Sequence, residues 1–200
     1  MGALIELFYD VGSPYSYLAT TQIEALATRC GATLRWRPFF LGGVFKAVGG
    51  SSLLSVAGKA RWMLRDLAAW AELYDVPFAF PAAIFPPNTL LAQRVLTGAG
   101  DALVPLTHAL FRAYWAAGRN VSDARVIGAI AGELGLDGEA LLARAATVEV
   151  KDALRATTDE AVARGAFGAP SLFVGAELYF GNDRLTMLER DLAPGGRLAR

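Results

Sequence analysis

The chain has 200 residues, with 19 lysines and arginines balanced by 19 aspartates and glutamates, one cysteine and one histidine. That length supports one substantial core or one domain with an insertion, and the scattered, balanced charge excludes the basic stripe with which nucleic-acid binders displace counterions. A lone Cys30 excludes an intrachain disulfide and a cysteine-rich zinc cluster, and with no apolar run of bilayer length and no leader pattern, a cytoplasmic protein that uses neither metal nor membrane is expected.

Leu4 to Tyr9 read as a buried strand, Gly12 as a tight exit, and Pro14 as the start of a helix running through Leu18, Ile23 and Leu26 to about Cys30. Gly31 closes that helix, and Thr33 to Phe40 form a second strand, giving a βαβ unit. From Leu41 to about Thr147 only helical periodicity is visible. Met63, Leu67, Trp70 and Tyr74 make one stripe, Leu110, Phe111, Tyr114 and Trp115 a second, and Ile127, Ile130 and Leu134 a third. Ser122 and Asp137 are placed as N-caps, and Pro81, Pro86 and Pro87 divide the block. Val150, Leu154, Ala161 and Val162 then mark a long helix ending at Gly165. A strand over residues 171–174, a turn at Gly175-Ala176, a strand over 177–180 and a last helix from about Asp183 complete the chain. This order predicts an α/β, thioredoxin-like domain built from residues 1–40 and 148–200, with residues 41–147 as an inserted all-helical subdomain.

In thioredoxin-like folds the junction at Ser13-Pro14-Tyr15-Ser16 carries Cys-x-x-Cys, whose first sulfur is held as a thiolate. Here both positions are serine. Such a site fits a thiolate brought from outside, and glutathione is the abundant candidate, although a plain N-cap is the structural alternative for Ser13. Ala169-Pro170, between a helix and an apolar strand, is placed to form a cis peptide whose preceding backbone pairs with an extended ligand. An ordinary trans proline is the competing reading. Asn182-Asp183 after Gly181 read first as a cap. They also suit a zwitterion, with free N–H groups for a carboxylate and Asp183 for an ammonium.

The single histidine, His108, lies on a helical stripe without a nucleophile or a second ligand, which favours a structural or surface role. Cys30 reads as a packed, inert thiol. Trp36, Trp62, Trp70 and Trp115 read mostly as core, with one or two available to an aromatic pocket. Arg61, Arg65 and Asp66 read as a solvated helix face.

Three segments carry a family likeness: Tyr9-Asp10-x-x-Ser13-Pro14-Tyr15-Ser16-Tyr17-Leu18-Ala19, Phe167-Gly168-Ala169-Pro170-Ser171-Leu172-Phe173-Val174-Gly175, and Phe180-Gly181-Asn182-Asp183-Arg184-Leu185. They closely resemble the 2-hydroxychromene-2-carboxylate isomerases, which group with the kappa-class glutathione transferases in the DsbA-like branch of the thioredoxin fold. Lys59-x-x-Trp62-x-x-x-Asp66-Leu67-x-x-Trp70 and Phe85-Pro86-x-Asn88-Thr89-Leu90 extend the resemblance into the middle of the chain. It implies that Ser13 hydrogen-bonds the glutathione sulfur, that Ala169 beside cis Pro170 binds the cysteinyl main chain, that Asn182 and Asp183 bind the γ-glutamyl end, and that Lys59 lies over the glutathione or the substrate anion. Two departures stand out. The family's glutathione-contacting asparagine before the lysine helix is absent from Val48-Gly49-Gly50-Ser51-Ser52, where Ser51 or Ser52 could substitute, and the usual tyrosine three residues after the lysine is Trp62.

The implied activity is glutathione-dependent isomerisation of 2-hydroxychromene-2-carboxylate, a small aromatic carboxylate, to trans-o-hydroxybenzylidenepyruvate in aromatic hydrocarbon catabolism, by a cytoplasmic homodimer. Lowering a thiol pKa from about 8.5 by about two units requires about 2.7 kcal/mol. A charge-assisted bond from Ser13 offers about 1.5 to 3 kcal/mol and a helix terminus about 0.3 to 2, which is sufficient without a metal. The alternatives are a kappa-like transferase that conjugates glutathione to an electrophile, and a non-catalytic DsbA-like peptide-binding module.

Overall fold

A computed structural model describes residues 2–50 and 56–198. Its centre is a mixed four-stranded sheet in the order β2-β1-β3-β4, formed by β1 Leu4–Tyr9, β2 Thr33–Pro38, β3 Ser171–Val174 and β4 Glu177–Phe180. β1 runs parallel to β2 and antiparallel to β3, so that Leu7 faces Trp36 on one side and Leu172 on the other. The two ends of the chain therefore share one sheet.

Side chains alternate across β1, and each set has its own helical cover. Ile5, Leu7 and Tyr9 pack with Leu172, Leu110, Phe111 and Trp115, whereas Phe8 and Phe173 pack with Phe39, Val44 and Ala161. On the Phe8 face the Arg37 and Arg164 guanidinium groups lie over the Phe8 ring and join Glu6 and Glu160 in one ion-pair network.

The first helix is shorter than expected. The stretch from Pro14 to Cys30 divides into α1 Pro14–Thr20 and α2 Ile23–Arg29. Two adjacent threonines explain the break, because Thr20 and Thr21 turn their hydroxyls back onto the carbonyls of Tyr17 and Leu18 at 2.8 and 2.7 Å, competing with the helical ladder. Gly31, at φ +59°, ends α2 in the left-handed conformation.

The helical block comprises α3 Leu41–Val48, α4 Ala57–Leu73, α5 Leu90–Thr97, α6 Leu103–Trp115, α7 Ala124–Glu133 and α8 Gly138–Ala145. Among the described residues between Leu41 and Thr147 there is no strand, as the periodicity indicated. Asp137 caps α8 through the Ala140 N–H. At α7 the cap is Asp123 and not Ser122, whose hydroxyl instead accepts from the Asn88 N–H at 2.9 Å and ties the block to the start of α5. Leu134, taken as part of the third stripe, is exposed just past the end of α7. Sheet and helical block share one core, for the Trp115 indole N–H donates to the Val11 carbonyl and buried Gln93 donates to the carbonyls of both Tyr9 and Phe39. Gln93 thus holds β1 and β2 together at the end that leads into the site.

α9 Val148–Ala163 leads into β3, and the last helix, expected from about Asp183, begins as a short 3-10 turn at Asn182–Arg184 and continues as α10 Leu185–Leu192. No helix among the described residues is long and apolar enough to cross a membrane.

Candidate functional site

The site is built where β1 gives way to α1. Asp10, the last apolar-flanked polar residue before Gly12, is buried and accepts from the Gly12 N–H and the Leu41 N–H, both at 2.8 Å, and from the Thr89 hydroxyl at 3.0 Å. One carboxylate therefore pins the β1 exit to the starts of α3 and α5. Burial pushes its pKa up to about 6, against the lowering effect of those three donors. Among the described residues no cation pairs with it to offset the lost hydration.

Ser13 follows as the N-cap of α1, with φ −95° and ψ 117°. Its oxygen accepts from the Ser16 N–H at 3.1 Å, and its hydroxyl donates to the Ala169 carbonyl at 2.8 Å. The cap role and the cross-chain contact therefore coexist. The Ala169–Pro170 peptide is cis, and so is Phe85–Pro86, which the sequence did not single out as such. Ser16, at the other serine of the motif, is fully buried, and its hydroxyl oxygen has no partner among the described residues.

Beyond Pro170 the chain forms the β3–β4 hairpin and returns at Gly181, whose N–H donates to the Pro170 carbonyl at 3.1 Å. Gly181 has φ +98°, and a Cβ there would lie 2.5 Å from the Asp183 carboxylate, so the turn that presents Asn182 and Asp183 requires glycine. Asn182 is 2 % exposed and its side-chain nitrogen has no partner among the described residues, while Tyr74 donates its hydroxyl to the Asn182 carbonyl at 3.4 Å. Asp183 is half exposed and pairs with Arg184 at 3.4 Å.

These elements border a groove of about 820 Å³ between the hairpin, α10 and α4. Ala169, Gly181, Asn182 and Asp183 line one side. Tyr15, Trp62, Asp66 and Trp70 line the other. Asp66 is thus not on a fully solvated face as the sequence suggested. It accepts the Tyr15 hydroxyl at 2.8 Å, and burial together with that carboxylate raises the Tyr15 pKa well above its ordinary value. Helical spacing puts Asp66 one turn before Trp70 on the same face, but the pairing with Tyr15, on another helix, carries no local signal.

Ala169, Asn182 and Asp183 therefore line one cleft, and Ser13 and Pro170 lie just behind that lining, joined to it by the hydrogen bonds to Ala169 and from Gly181. Lys59 does not join them: it is exposed on the first turn of α4 and is not part of the groove lining. Ser51 and Ser52, weighed as stand-ins for the missing asparagine, lie outside the described residues. Trp36 and Trp115 are core, whereas Trp62 is exposed and Trp70 partly buried at the groove. His108 contacts Glu24 at 2.9 Å and the edge of Trp36, and the Cys30 thiol has its pKa raised by partial burial. Neither belongs to the groove lining.

Residues 4–193 match the family described as DSBA-like thioredoxin domain. The chain is 34 % identical over 191 residues to a 2-hydroxychromene-2-carboxylate isomerase of Sphingobium xenophagum, covering 94 % of this chain and 97 % of that protein. It is 28 % identical to a rat protein named glutathione S-transferase kappa 1, over 92 % of this chain and 88 % of the relative. A solved 2-hydroxychromene-2-carboxylate isomerase superposes with a TM-score of 0.83 at 30 % identity, covering 93 % of this chain and 92 % of its own. By matching segment, sheet order and sequence together, the chain belongs to the 2-hydroxychromene-2-carboxylate isomerase family of DSBA-like thioredoxin domain proteins.

Proposed function

We propose that the protein is a cytoplasmic, glutathione-dependent isomerase of 2-hydroxychromene-2-carboxylate, working as a homodimer, with Ser13 as the residue that hydrogen-bonds the thiol. The observation that carries this reading is the contact between the buried Ser13 hydroxyl and the Ala169 backbone at the groove, in a chain similar to an isomerase of that name.

The residues fit a γ-glutamyl tripeptide. Asn182 offers a buried side-chain amide nitrogen without a partner among the described residues, Asp183 a carboxylate for an ammonium, and Ala169 a main-chain edge for the cysteinyl unit. Bound glutathione would supply a sulfur nucleophile that adds reversibly to a conjugated double bond and so permits its rotation. Ser13 lowers the thiol pKa by donating to the ionised sulfur. Because α1 is only 7 residues long, the hydroxyl carries the larger share of that lowering. Trp62 and Trp70 form an aromatic wall for a planar substrate, and Arg184, which lines the groove, is the cation placed to meet the substrate carboxylate, a role for which Lys59 lies outside the lining.

The test is to follow isomerisation with and without glutathione while measuring total glutathione. Turnover that requires glutathione and leaves its concentration unchanged supports the isomerase. Stoichiometric loss moves the assignment to a conjugating transferase, the reading favoured by the similarity to the rat kappa protein. Calorimetry with no saturable glutathione binding, alongside binding of extended peptides, would leave the peptide-binding module. Light scattering checks the homodimer.

A further inference from the structure

A serine hydroxyl has one proton to donate, and the proton of Ser13 is already engaged. Its oxygen accepts from the Ser16 N–H at 3.1 Å while the O–H donates to the Ala169 carbonyl at 2.8 Å. Ser13 cannot serve a thiolate and Ala169 at once. Ser13 is 4 % exposed and Ala169 8 %, so turning the hydroxyl away would strip a largely buried carbonyl of the one hydrogen bond it accepts among the described residues. That loss is of the same order as what a charge-assisted bond to sulfur returns.

Resting on the glutathione reading above, we propose that the ligand's own main-chain N–H releases Ser13. Ala169 lines the groove, so a donor on the thiol-bearing residue can take over its carbonyl. The hydroxyl then swings to the sulfur by rotation about Cβ–Oγ alone. Its oxygen stays in place and keeps the Ser16 N–H that starts α1, and the thiol proton leaves to water through the open groove. Neither the Ala169 carbonyl nor the Ser13 hydroxyl is left unpaired by the exchange.

The consequence concerns which thiols the site can ionise. A thiol on a residue that carries a backbone N–H is ionised. A simple thiol without that donor leaves Ser13 on Ala169 and keeps close to its own acidity. Selectivity for a peptide-borne thiol thus lies in thiol acidity as well as in affinity, and it resides in two residues that occupy adjacent positions in space and distant ones in sequence.

The test compares glutathione with its depsipeptide analogue, in which an ester oxygen replaces the cysteinyl N–H, each titrated on the intact protein by the chemical shift of its thiol-bearing carbon and extrapolated to saturation. The expected result is a bound glutathione thiol about two pKa units below its free value, and a depsipeptide thiol lowered by at least about one unit less, a tenfold difference in ionisation. Equal lowering of the two overturns the exchange while the proposed function stands. Failure of bound glutathione to show any lowering overturns both. Ser13→Ala removes the lowering for both ligands if the hydroxyl is its source, and a lowering that persists in that variant overturns the inference.

Discussion

The β1–α1 junction behind the groove and the β4–α10 corner that lines it differ in how they treat charge. At the first, Asp10 is buried among three neutral donors and its pKa is pushed up to about 6. At the second, Asp191 is held down to about 2 by the Tyr179 hydroxyl and by Arg190 and Arg197. Asp183 and Arg184, 46 % and 45 % exposed, stand in water beside it. At Asp10 deep burial outweighs three neutral donors, whereas at Asp191 the Tyr179 hydroxyl and the guanidinium groups together outweigh a smaller loss of hydration. Ionising a thiol at the dry junction therefore depends on individual hydrogen bonds, and recognising a zwitterion suits the wet corner, where charges are present but screened.

The largest effect that could break this comparison is Asp10→Ala, which leaves two N–H groups and a hydroxyl without their acceptor and is expected to cost about 3 kcal/mol of stability. Denaturant midpoints measure it, and a variant as stable as the parent would remove Asp10 from the framework of the site. The ionisation of Asp10 has its own signature. Its folded pKa lies above the unfolded value of about 3.9, so the fold binds the proton more tightly, and stability is greatest below about pH 4 and falls as pH rises through about 6. Asp10→Asn should flatten that slope in a series of unfolding curves, and an unchanged slope would assign it to other groups.

Ser13→Ala comes next, with an expected loss of about 1.5 to 3 kcal/mol of transition-state stabilisation, or roughly 10- to 150-fold in kcat/KM, and a pH–rate profile moved to higher pH. Activity and profile both unchanged would reject the assigned role. Asp183→Asn is the smallest, about 0.5 to 1 kcal/mol in glutathione affinity, shrinking as salt is added because the carboxylate is half exposed. Calorimetry at two ionic strengths reads it, and a large, salt-independent loss would mean that the corner is drier than its exposure indicates.

Much of the frame was legible before the structure. The strands were visible because apolar and β-branched residues run between glycine and proline punctuation, and Ser13 drew attention because a serine replaces sulfur at a strand-to-helix junction. What failed was local competition and distant pairing. The helix expected over residues 14–30 breaks because Thr20 and Thr21 hydroxyls compete with the backbone ladder, and Ser122 lost its cap role to a neighbour while being drawn to Asn88. Asp66 looked solvated because a carboxylate on a helix flanked by arginines usually is, and only Tyr15, 51 positions away, places it in the groove.

By itself the sequence determined the order of elements, the family, and the absence of a redox sulfur from the motif, since each depends on residue type and spacing along one short segment. Only the tertiary structure decided that the Ser13 hydroxyl is bonded to the Ala169 carbonyl, that Gln93 clamps two strand ends, and that Asp10 is buried among neutral donors. Those are meetings of groups as many as 156 positions apart. Their strength comes from the exclusion of water, a property of the packed core as a whole and of no single stretch of chain.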